Sequence, residues 1–283
     1  MITRILFLVS IILSSNIQSQ ILEFEHELGL SAGASHYFGD LNPNLDFQRP
    51  GPSLGAFYRL NMDHRFAIRA GFSRMNVGYK DEYSGFEQNK QRNLSFNSNI
   101  TDLHALLEFN FLKFVKNVYY NEHGWRYTPY LTLGAGVFFF NPTTEFKGQT
   151  YDLQPLGTEG QNDESYVGNS RYNLFSWSIN YGIGMKYHIV RNVSCGLDFQ
   201  IRRTFTDYID DVSGNYVPII SLPGEDKGLA YDLYDRSKEI GPAIGVPGRS
   251  RGSKRGADDY ATLMITFSWT FIKPFCPKEG SYN

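Results

Sequence analysis

The sequence predicts an all-β protein, an eight-stranded antiparallel up-and-down transmembrane β-barrel with long outer loops. Three observations predict it: hydrophobic and polar residues alternate in eight segments, the connections between the segments are alternately short and long, and the polar face carries charges of both signs. The composition agrees, because 41% of the 283 residues are hydrophobic and 16% are aromatic, while the mean hydropathy is only −0.35. After the N-terminal segment there is no apolar run of 18 residues, which argues against membrane-spanning helices.

The charge balance and the cysteine content exclude several classes of protein. The 27 Lys and Arg residues and 29 Asp and Glu residues give a net charge of −2, so nucleic acid is not expected as a partner. Two cysteines cannot form a disulfide framework or a four-cysteine zinc site, and neither a cofactor nor a metal is predicted. Cys195 and Cys276 could pair at the periplasmic end, but the lipid-facing position of Cys195 favours two free thiols.

The N-terminal segment has the pattern of a secretory signal peptide. Arg4 precedes the apolar stretch Ile5–Leu13, and small and polar residues follow up to residue 19. As a helix this stretch would rise only about 14 Å, which is too short to span a membrane. We therefore predict a signal peptide at residues 1–19, the barrel at 20–273 and a periplasmic C-terminal tail at 274–283. A buried first helix is the alternative.

Eight segments have a period of two, which is typical of β-strands with one face on lipid. The apolar positions of the first four, in chain order, are Phe24, Leu28, Leu30, Ala32 and Ala34; Leu54, Ala56, Tyr58, Leu60 and Met62; Phe66, Ile68, Ala70 and Phe72; and Leu103, Ala105, Leu107, Phe109 and Phe111. Those of the last four are Tyr127, Leu131, Leu133, Ala135, Val137 and Phe139; Phe175, Trp177, Ile179, Tyr181, Ile183, Met185 and Tyr187; Val193, Cys195, Leu197, Phe199 and Ile201; and Ala261, Leu263, Ile265, Phe267, Trp269 and Phe271. Each segment is long enough to cross a bilayer at a tilt.

Soluble antiparallel sheets also alternate, so the membrane assignment depends on two further features. The short connections are 63–64, 113–126 and 189–192, and the others are much longer, as in outer-membrane barrels with short periplasmic turns. Aromatic residues lie on the apolar face at the end with the short connections, as expected of an interfacial ring: Phe24, Phe111, Tyr127, Tyr187, Trp269 and Phe271. We therefore expect the protein in the outer membrane.

The polar face carries charges that cannot point into lipid. They are Glu25, Glu27, Arg59, Arg65, Arg69, Glu108, Lys186, Asp198 and Arg202. An eight-stranded barrel is just wide enough for side chains to fill it. We expect a closed lumen in which these charges pair with one another, in preference to a conduction path.

Two outer loops carry distinctive residues. The first loop contains Tyr37, Gly39, Asp40 and Asn42. The last loop contains Thr206, Asp207, Tyr208, Asp210 and Asp211. The two runs resemble those of the PorG-type outer-membrane barrels of the type IX secretion system of Bacteroidetes, and the likeness covers essentially the whole mature chain. The resemblance makes these nine residues the candidate binding residues.

The resemblance implies a barrel that is not an enzyme and is required for protein export. It also implies association with a periplasmic ring built from a lipoprotein and its partner, PorK and PorN. We therefore expect a non-enzymatic component that anchors or scaffolds this ring. A stand-alone barrel that binds surface ligands through its long loops is the alternative. Because both motifs lie on the outer side while the ring is periplasmic, either the motifs fold back to brace the barrel or the predicted orientation is inverted.

Three other groups of residues invite a chemical interpretation. Asp40, Asn42, Asn44 and Asp46 resemble the start of a calcium loop, but Leu45 and Gly51 stand where the loop needs Gly and Glu, and an Asx-rich turn explains the same residues. The carboxylates of the last loop could ligate a cation, although pairing with Arg202 and Arg203 is the preferred expectation. His104 with Asp102 is the single candidate pair for catalysis, and no Gly-x-Ser-x-Gly motif accompanies it.

A basic cluster in the last outer loop comprises Arg249, Arg251, Lys254 and Arg255. Nearby Gly and Pro residues predict a mobile, solvated loop. Contact with the phosphates of lipopolysaccharide is a second interpretation, because Arg and Lys side chains suit phosphate oxygens. Outer-membrane lipid and lipopolysaccharide are thus the expected non-protein partners.

Overall fold

The computed structural model describes residues 24–44, 46–114, 124–161, 170–190, 192–222, 227–252 and 256–271. The predicted signal peptide at 1–19, the predicted tail at 274–283 and Cys276 lie outside the described residues, as does most of the 113–126 turn. The structure contains ten strands within the described ranges. They are β1 (Glu25–Phe38), β2 (Gly51–Asn61), β3 (Phe66–Lys80), β4 (Ser95–Asn110), β5 (Tyr127–Phe139), β6 (Pro142–Phe146), β7 (Gln149–Asp152), β8 (Phe175–Val190), β9 (Val193–Thr204) and β10 (Asp259–Phe271).

Eight of these strands close into an antiparallel barrel, which confirms the predicted fold class. Each of the eight pairs with its neighbours around the wall in the order β3-β2-β1-β10-β9-β8-β5-β4, and the pairing of β3 with β4 closes the ring. β1 meets β10 in register from His26 opposite Phe271 to Phe38 opposite Asp259, so the first and last strands seal the wall. A closed ring leaves no edge strand, which is the condition for β-structure to cross a bilayer.

The outward face of the wall is apolar, as the alternation predicts. Leu30, Leu133, Trp177, Ile183 and Phe267 are each more than half exposed on it. The predicted aromatic ring at the end with the short turns is also present and exposed. A second aromatic ring, which the sequence analysis did not identify, surrounds the opposite end of the apolar band: Phe47, Phe139, Phe175, Trp177 and Phe205. Two rings that flank an apolar band mark the two membrane interfaces.

β3 and β4 continue past the membrane on the side of the long loops, farther than the alternation predicts. In β3 the apolar side chains point outward up to Phe72, and then Met75, Val77 and Tyr79 point inward and are buried, while Arg74 is exposed. β4 changes in the same way, because Leu103 points outward whereas Phe96 and Ile100 are buried inside. This inversion of polarity is expected where the surroundings of a strand change from lipid to water.

The long loops pack into one cap, the outer cap, made of residues 39–50, 81–94, 140–174 and 205–258 insofar as these are described. It includes helix α1 (Glu87–Arg92), helix α2 (Lys227–Tyr234) and the β6–β7 hairpin, which continues the sheet from β4. Neither helix in the described ranges has the length and apolarity needed to cross a membrane. The apolar core lies under the cap, where Leu41, Phe96, Ile209 and Leu233 are buried together.

Candidate functional site

The lumen on the side of the short turns is filled by ion pairs, as predicted for most of the nine charges, although Arg65 is exposed in the turn before β3. Glu108 is fully buried, and its carboxylate forms ion pairs with three cations: Arg59 at 2.9 Å, Arg69 at 3.1 Å and Lys186 at 3.0 Å. Arg59 also pairs with Glu27 at 2.5 Å. These side chains come from five strands, so the network ties opposite parts of the wall together.

The charges of this network balance. Asp198 accepts from Arg69 at 3.0 Å, so three carboxylates face three cations. We call these six residues the luminal cluster: Glu27, Glu108, Asp198, Arg59, Arg69 and Lys186. Phe57 fills the space beside it, with the Arg59 guanidinium 4.8 Å from its ring centre. A Cβ on Gly29 would lie 2.2 Å from that ring, so the sequence needs glycine there. Balanced charge limits the large desolvation penalty of burying ions.

The candidate catalytic pair lies in the same closed interior. His104 Nδ1 is 3.2 Å from Asp102 Oδ2, and Arg202 Nε donates to the same carboxylate oxygen at 2.6 Å. Both His104 and Asp102 side chains are at least nine-tenths buried. Asp102 therefore balances Arg202 inside the barrel, a position that a bulky substrate does not reach.

The two family motifs meet at the outer mouth of the barrel. Tyr37, at the end of β1, donates its hydroxyl proton to Asp210 at 2.5 Å and lies 2.8 Å from Asp258 Oδ1. All three side chains are buried. Asp258, next to the start of β10, is a central member of this contact that the sequence analysis missed, although its position in the acidic pair before the last strand was a usable signal.

Gly39 and Asn42 shape the first loop around this contact. A Cβ on Gly39 would lie 1.9 Å from Asp258 Oδ1 and 2.1 Å from the Tyr37 hydroxyl, so only glycine fits. Asn42 Nδ2 donates to the carbonyl oxygens of Tyr37 at 2.9 Å and Asp46 at 3.0 Å, and Asn42 Oδ1 accepts from the Asp46 amide at 2.9 Å. Asn42 thus closes the loop by local bonds of the Asx type. Asp40 is also buried in the cap.

The second motif is bound to the third outer loop. Asp211 accepts from the hydroxyls of Thr158 and Tyr172, each at 2.6 Å. Tyr208 stacks on Tyr172 with ring centres 4.4 Å apart. Asp207 accepts from the Ser213 hydroxyl at 2.7 Å. The carbonyl of Thr206, a further motif residue, accepts from the Asp258 amide at 2.9 Å.

Two expectations about these loops were wrong. Arg202 and Arg203 do not pair with the motif carboxylates, because Arg202 points into the lumen toward Asp102, and Arg203 points outward, 3.6 Å from Asp259. Arg251 is not solvated: it is buried and pairs with Glu159 at 3.1 Å. Lys254 and Arg255 lie outside the described residues. His36 continues the outward-facing series of β1, but it is buried because the ring of Phe47 stacks on it 5.1 Å away.

Burial raises the pKa of several carboxyl groups in the outer cap. The pKa values of Asp210 and Asp258 lie well above the usual range, because both groups are desolvated and the negative charges of Asp40 and of Asp210, respectively, lie nearby. Burial also raises the pKa of Asp211 to about 6 and that of Asp207 to about 7. Protonation at Asp210 or Asp258 relieves repulsion between acids that share the Tyr37 hydroxyl.

The calcium interpretation of the first loop finds no support in the geometry. Asn42 uses its amide for bonds within the loop. In the part of the chain that the structure describes, no group of three or more His, Cys, Asp or Glu side chains is arranged to hold a metal ion. Cys195 lies on the outward side of β9, half-exposed, and its possible partner Cys276 is outside the described ranges.

The closed barrel, its apolar outward face and its two aromatic rings place the protein in the outer membrane, where barrels of this architecture occur. The short turns, the start of β1 and the end of β10 lie on one side, which is the periplasmic side in such barrels. The motif residues therefore lie on the outer side, and they fold back to brace the barrel mouth.

The chain is similar in structure to several outer-membrane proteins. Ail of Yersinia pestis, solved with the heparin analogue sucrose octasulfate, is 10% identical with a TM-score of 0.38, and the match covers 88% of this chain and 97% of Ail. Neisserial surface protein A is 11% identical with a TM-score of 0.38, covering 88% and 97%. The outer membrane enzyme PagL is 11% identical with a TM-score of 0.32, covering 86% and 98%.

A comparison with curated proteins gave no match. The sequence itself, however, matches a protein family over residues 3–218, which is well over half of the chain. That match includes both motifs, the one in the first outer loop and the one in the last. The chain therefore belongs to the family described as Domain of unknown function (DUF6089).

Proposed function

We propose that the protein is a non-enzymatic outer-membrane component of the type IX protein secretion machinery. In this proposal it anchors or scaffolds a periplasmic ring of a PorK-like lipoprotein and its PorN-like partner. The observation that carries the proposal is the convergence of both PorG-type motifs in one buried contact, from Tyr37 to Asp210. The two motifs are far apart in the sequence, yet together they brace the outer mouth of the barrel.

The closed lumen favours a scaffold over a conduit. The luminal cluster joins four cation–carboxylate contacts around Glu108 and Arg69 at 3.1 Å or less, so an export path through the barrel would have to break it. The same closure argues against catalysis at His104, which is enclosed by the wall. A protein of this kind acts through its surfaces.

The proposed ring contact lies on the periplasmic side, at the turn 113–126 and the tail 274–283, both wholly or largely outside the described residues. The test is co-purification of the ring lipoprotein with tagged protein from cells, quantified by mass spectrometry. Deletion of residues 274–283 is expected to lower ring recovery at least fivefold. A deletion of similar length in the outer cap, residues 240–248, serves as the matched control and is expected to leave recovery unchanged.

Heat-modifiable migration on gels checks that both deletion variants still form barrels. If the tail deletion forms a barrel and recovers the ring in full, the tail is not the contact. If the full-length protein recovers no ring component at all, the type IX assignment itself fails.

A stand-alone barrel that binds surface ligands through its loops is the second candidate. Exposed apolar residues of the outer cap favour it: Ile220 is 84% exposed, and Ile219, Ile240 and Val246 are also largely exposed. The neighbouring genes separate the two candidates, because a ring component is expected to be encoded beside this protein only under the first.

A further inference from the structure

A polar cleft of about 390 Å³ lies on the outer part of the barrel wall, beside the ends of β3 and β4. We call it the lateral cleft. Its lining joins four cations, two carboxylates and several hydroxyl and amide groups: Arg49, Lys80, Lys147 and Arg236; Glu82 and Glu145; and Asn93, Ser95, Asn97, Thr143, Thr144 and Thr150. None of these residues belongs to the two family motifs.

The lateral cleft faces sideways, toward the layer above the lipid. Lys80 has the same parity on β3 as lipid-facing Phe72, and it is paired with Ser95 of β4. The Arg49 guanidinium lies on the same side, because a Cβ on outward-facing Gly78 would lie 3.4 Å from its Nη1. The apolar outward face of β3 ends at Arg74, and Lys80 lies six residues farther along the strand. For a tilted strand this places Lys80 roughly 15 Å above Arg74 along the membrane normal. That height is the level of the sugars of the outer-leaflet glycolipid.

Two of the cations are available to a ligand. Arg236 is held by Glu239 at 2.7 Å and donates to Ser95 Oγ at 2.9 Å, so it forms part of the wall. Among the residues that the structure describes, Arg49 and Lys80 have no acidic partner, and Arg49 donates only to the carbonyl of Phe96 at 3.3 Å. Cations of this kind suit phosphate or carboxylate groups.

The rest of the lining suits sugar hydroxyl groups. Hydroxyl and amide side chains both donate and accept, and carboxylates such as Glu82 and Glu145 accept from hydroxyl donors. We propose that the lateral cleft binds the acidic saccharide of the outer-leaflet glycolipid, with Arg49 and Lys80 on its anionic groups. The site is independent of the proposed secretion role, because it lies on the opposite side of the membrane from the ring.

The test uses the purified full-length protein in detergent and native mass spectrometry. The probes are lipid A, a minimal lipopolysaccharide that carries two acidic sugars on lipid A, and free pyrophosphate. The wild-type protein is expected to bind the sugar-bearing glycolipid at least tenfold more tightly than lipid A. The double variant R49Q/K80Q is expected to lose this preference, whereas the charge-conserving variant R49K/K80R retains most of it.

The matched control is K90Q/R203Q, which removes two positive charges from exposed positions outside the cleft and is expected to keep the preference within twofold. All four positions are on the surface, and gel migration confirms that each variant forms a barrel. An undiminished preference in R49Q/K80Q would overturn the assignment. Equal affinity for pyrophosphate and the sugar-bearing glycolipid would also overturn it, since the cleft would then be a site for a soluble anion.

Discussion

The luminal cluster makes a quantitative prediction about Glu108. At an effective dielectric constant of about 20, two unit charges about 4 Å apart interact by about 4 kcal/mol. Glu108 has three cations at 2.9 to 3.1 Å, and all four side chains are nearly inaccessible to solvent. Glu108→Gln keeps the shape of the side chain but leaves the cluster with one excess positive charge. We expect it to lower the free energy of unfolding by about 3–5 kcal/mol, as for other broken buried ion pairs.

A compensating change tests whether charge balance is the cause. Lys186→Met keeps an apolar stem beside the Tyr130 ring, which now lies 5.1 Å from the ammonium group, but leaves one excess negative charge. We expect this variant alone to be destabilised by a similar amount. The double variant E108Q/K186M restores a balance of two carboxylates and two cations, so its loss is expected to be smaller than the sum of the single losses by at least about 2 kcal/mol.

Urea unfolding in phospholipid vesicles measures these differences. The three tryptophans of the sequence, Trp125, Trp177 and Trp269, are exposed on the outside of the barrel, so their fluorescence reports transfer from lipid to water. Single and double variants are compared in the same lipid and at the same pH. Losses that add to within about 0.5 kcal/mol would refute the argument, because independent sites behave in that way.

The outer cap supports three further predictions. Tyr37→Phe removes the hydroxyl that two buried carboxyl groups share, so we expect the free energy of local opening of the cap to fall by about 1–3 kcal/mol. Added protease should then cleave the cap faster, while the urea midpoint of the barrel stays unchanged. Folding raises the pKa of Asp211 to about 6 and that of Asp207 to about 7, so the stabilisation of the cap is fully present below about pH 4 and is lost as the pH rises through 6 to 7. Amide hydrogen exchange in the cap, corrected for its intrinsic pH dependence, should therefore be faster at pH 8 than at pH 5. Equal protection at the two pH values would contradict this prediction. Gly39→Ala forces a Cβ against a carboxylate oxygen 1.9 Å away and should open the cap, whereas Gly241→Ala, with nothing within 4 Å, should be silent in the same protease assay.

The barrel could be predicted from the sequence because strand parity is a local property. Within β8, for example, the alternation from Phe175 to Tyr187 alone determines which side chains face lipid. The pairing of the interior charges followed as well, since an eight-stranded barrel has room for side chains and little else. What parity could not supply was the partner of each charge, which depends on strands far apart in sequence.

The outer cap was predicted poorly because its contacts join distant loops. Composition suggested a solvated Arg251, but Glu159 of another loop buries it. His36 continues the outward-facing series of β1, but Phe47 of the following loop covers it. The role of Asp258 depends on Tyr37, more than two hundred residues earlier in the chain. Local patterns carry no information about such encounters.

The change of polarity along β3 has a consequence for how deeply the protein sits. Between Phe72 and Met75 the same strand passes from an apolar outside to an apolar inside, so a shift of one residue pair would expose carbon to water or draw Arg74 into hydrocarbon. The wall therefore fixes the hydrophobic thickness of the bilayer around it. A thicker bilayer must become thinner next to the barrel. The lateral cleft therefore lies at the same height above the lipid headgroups in any membrane into which the protein inserts.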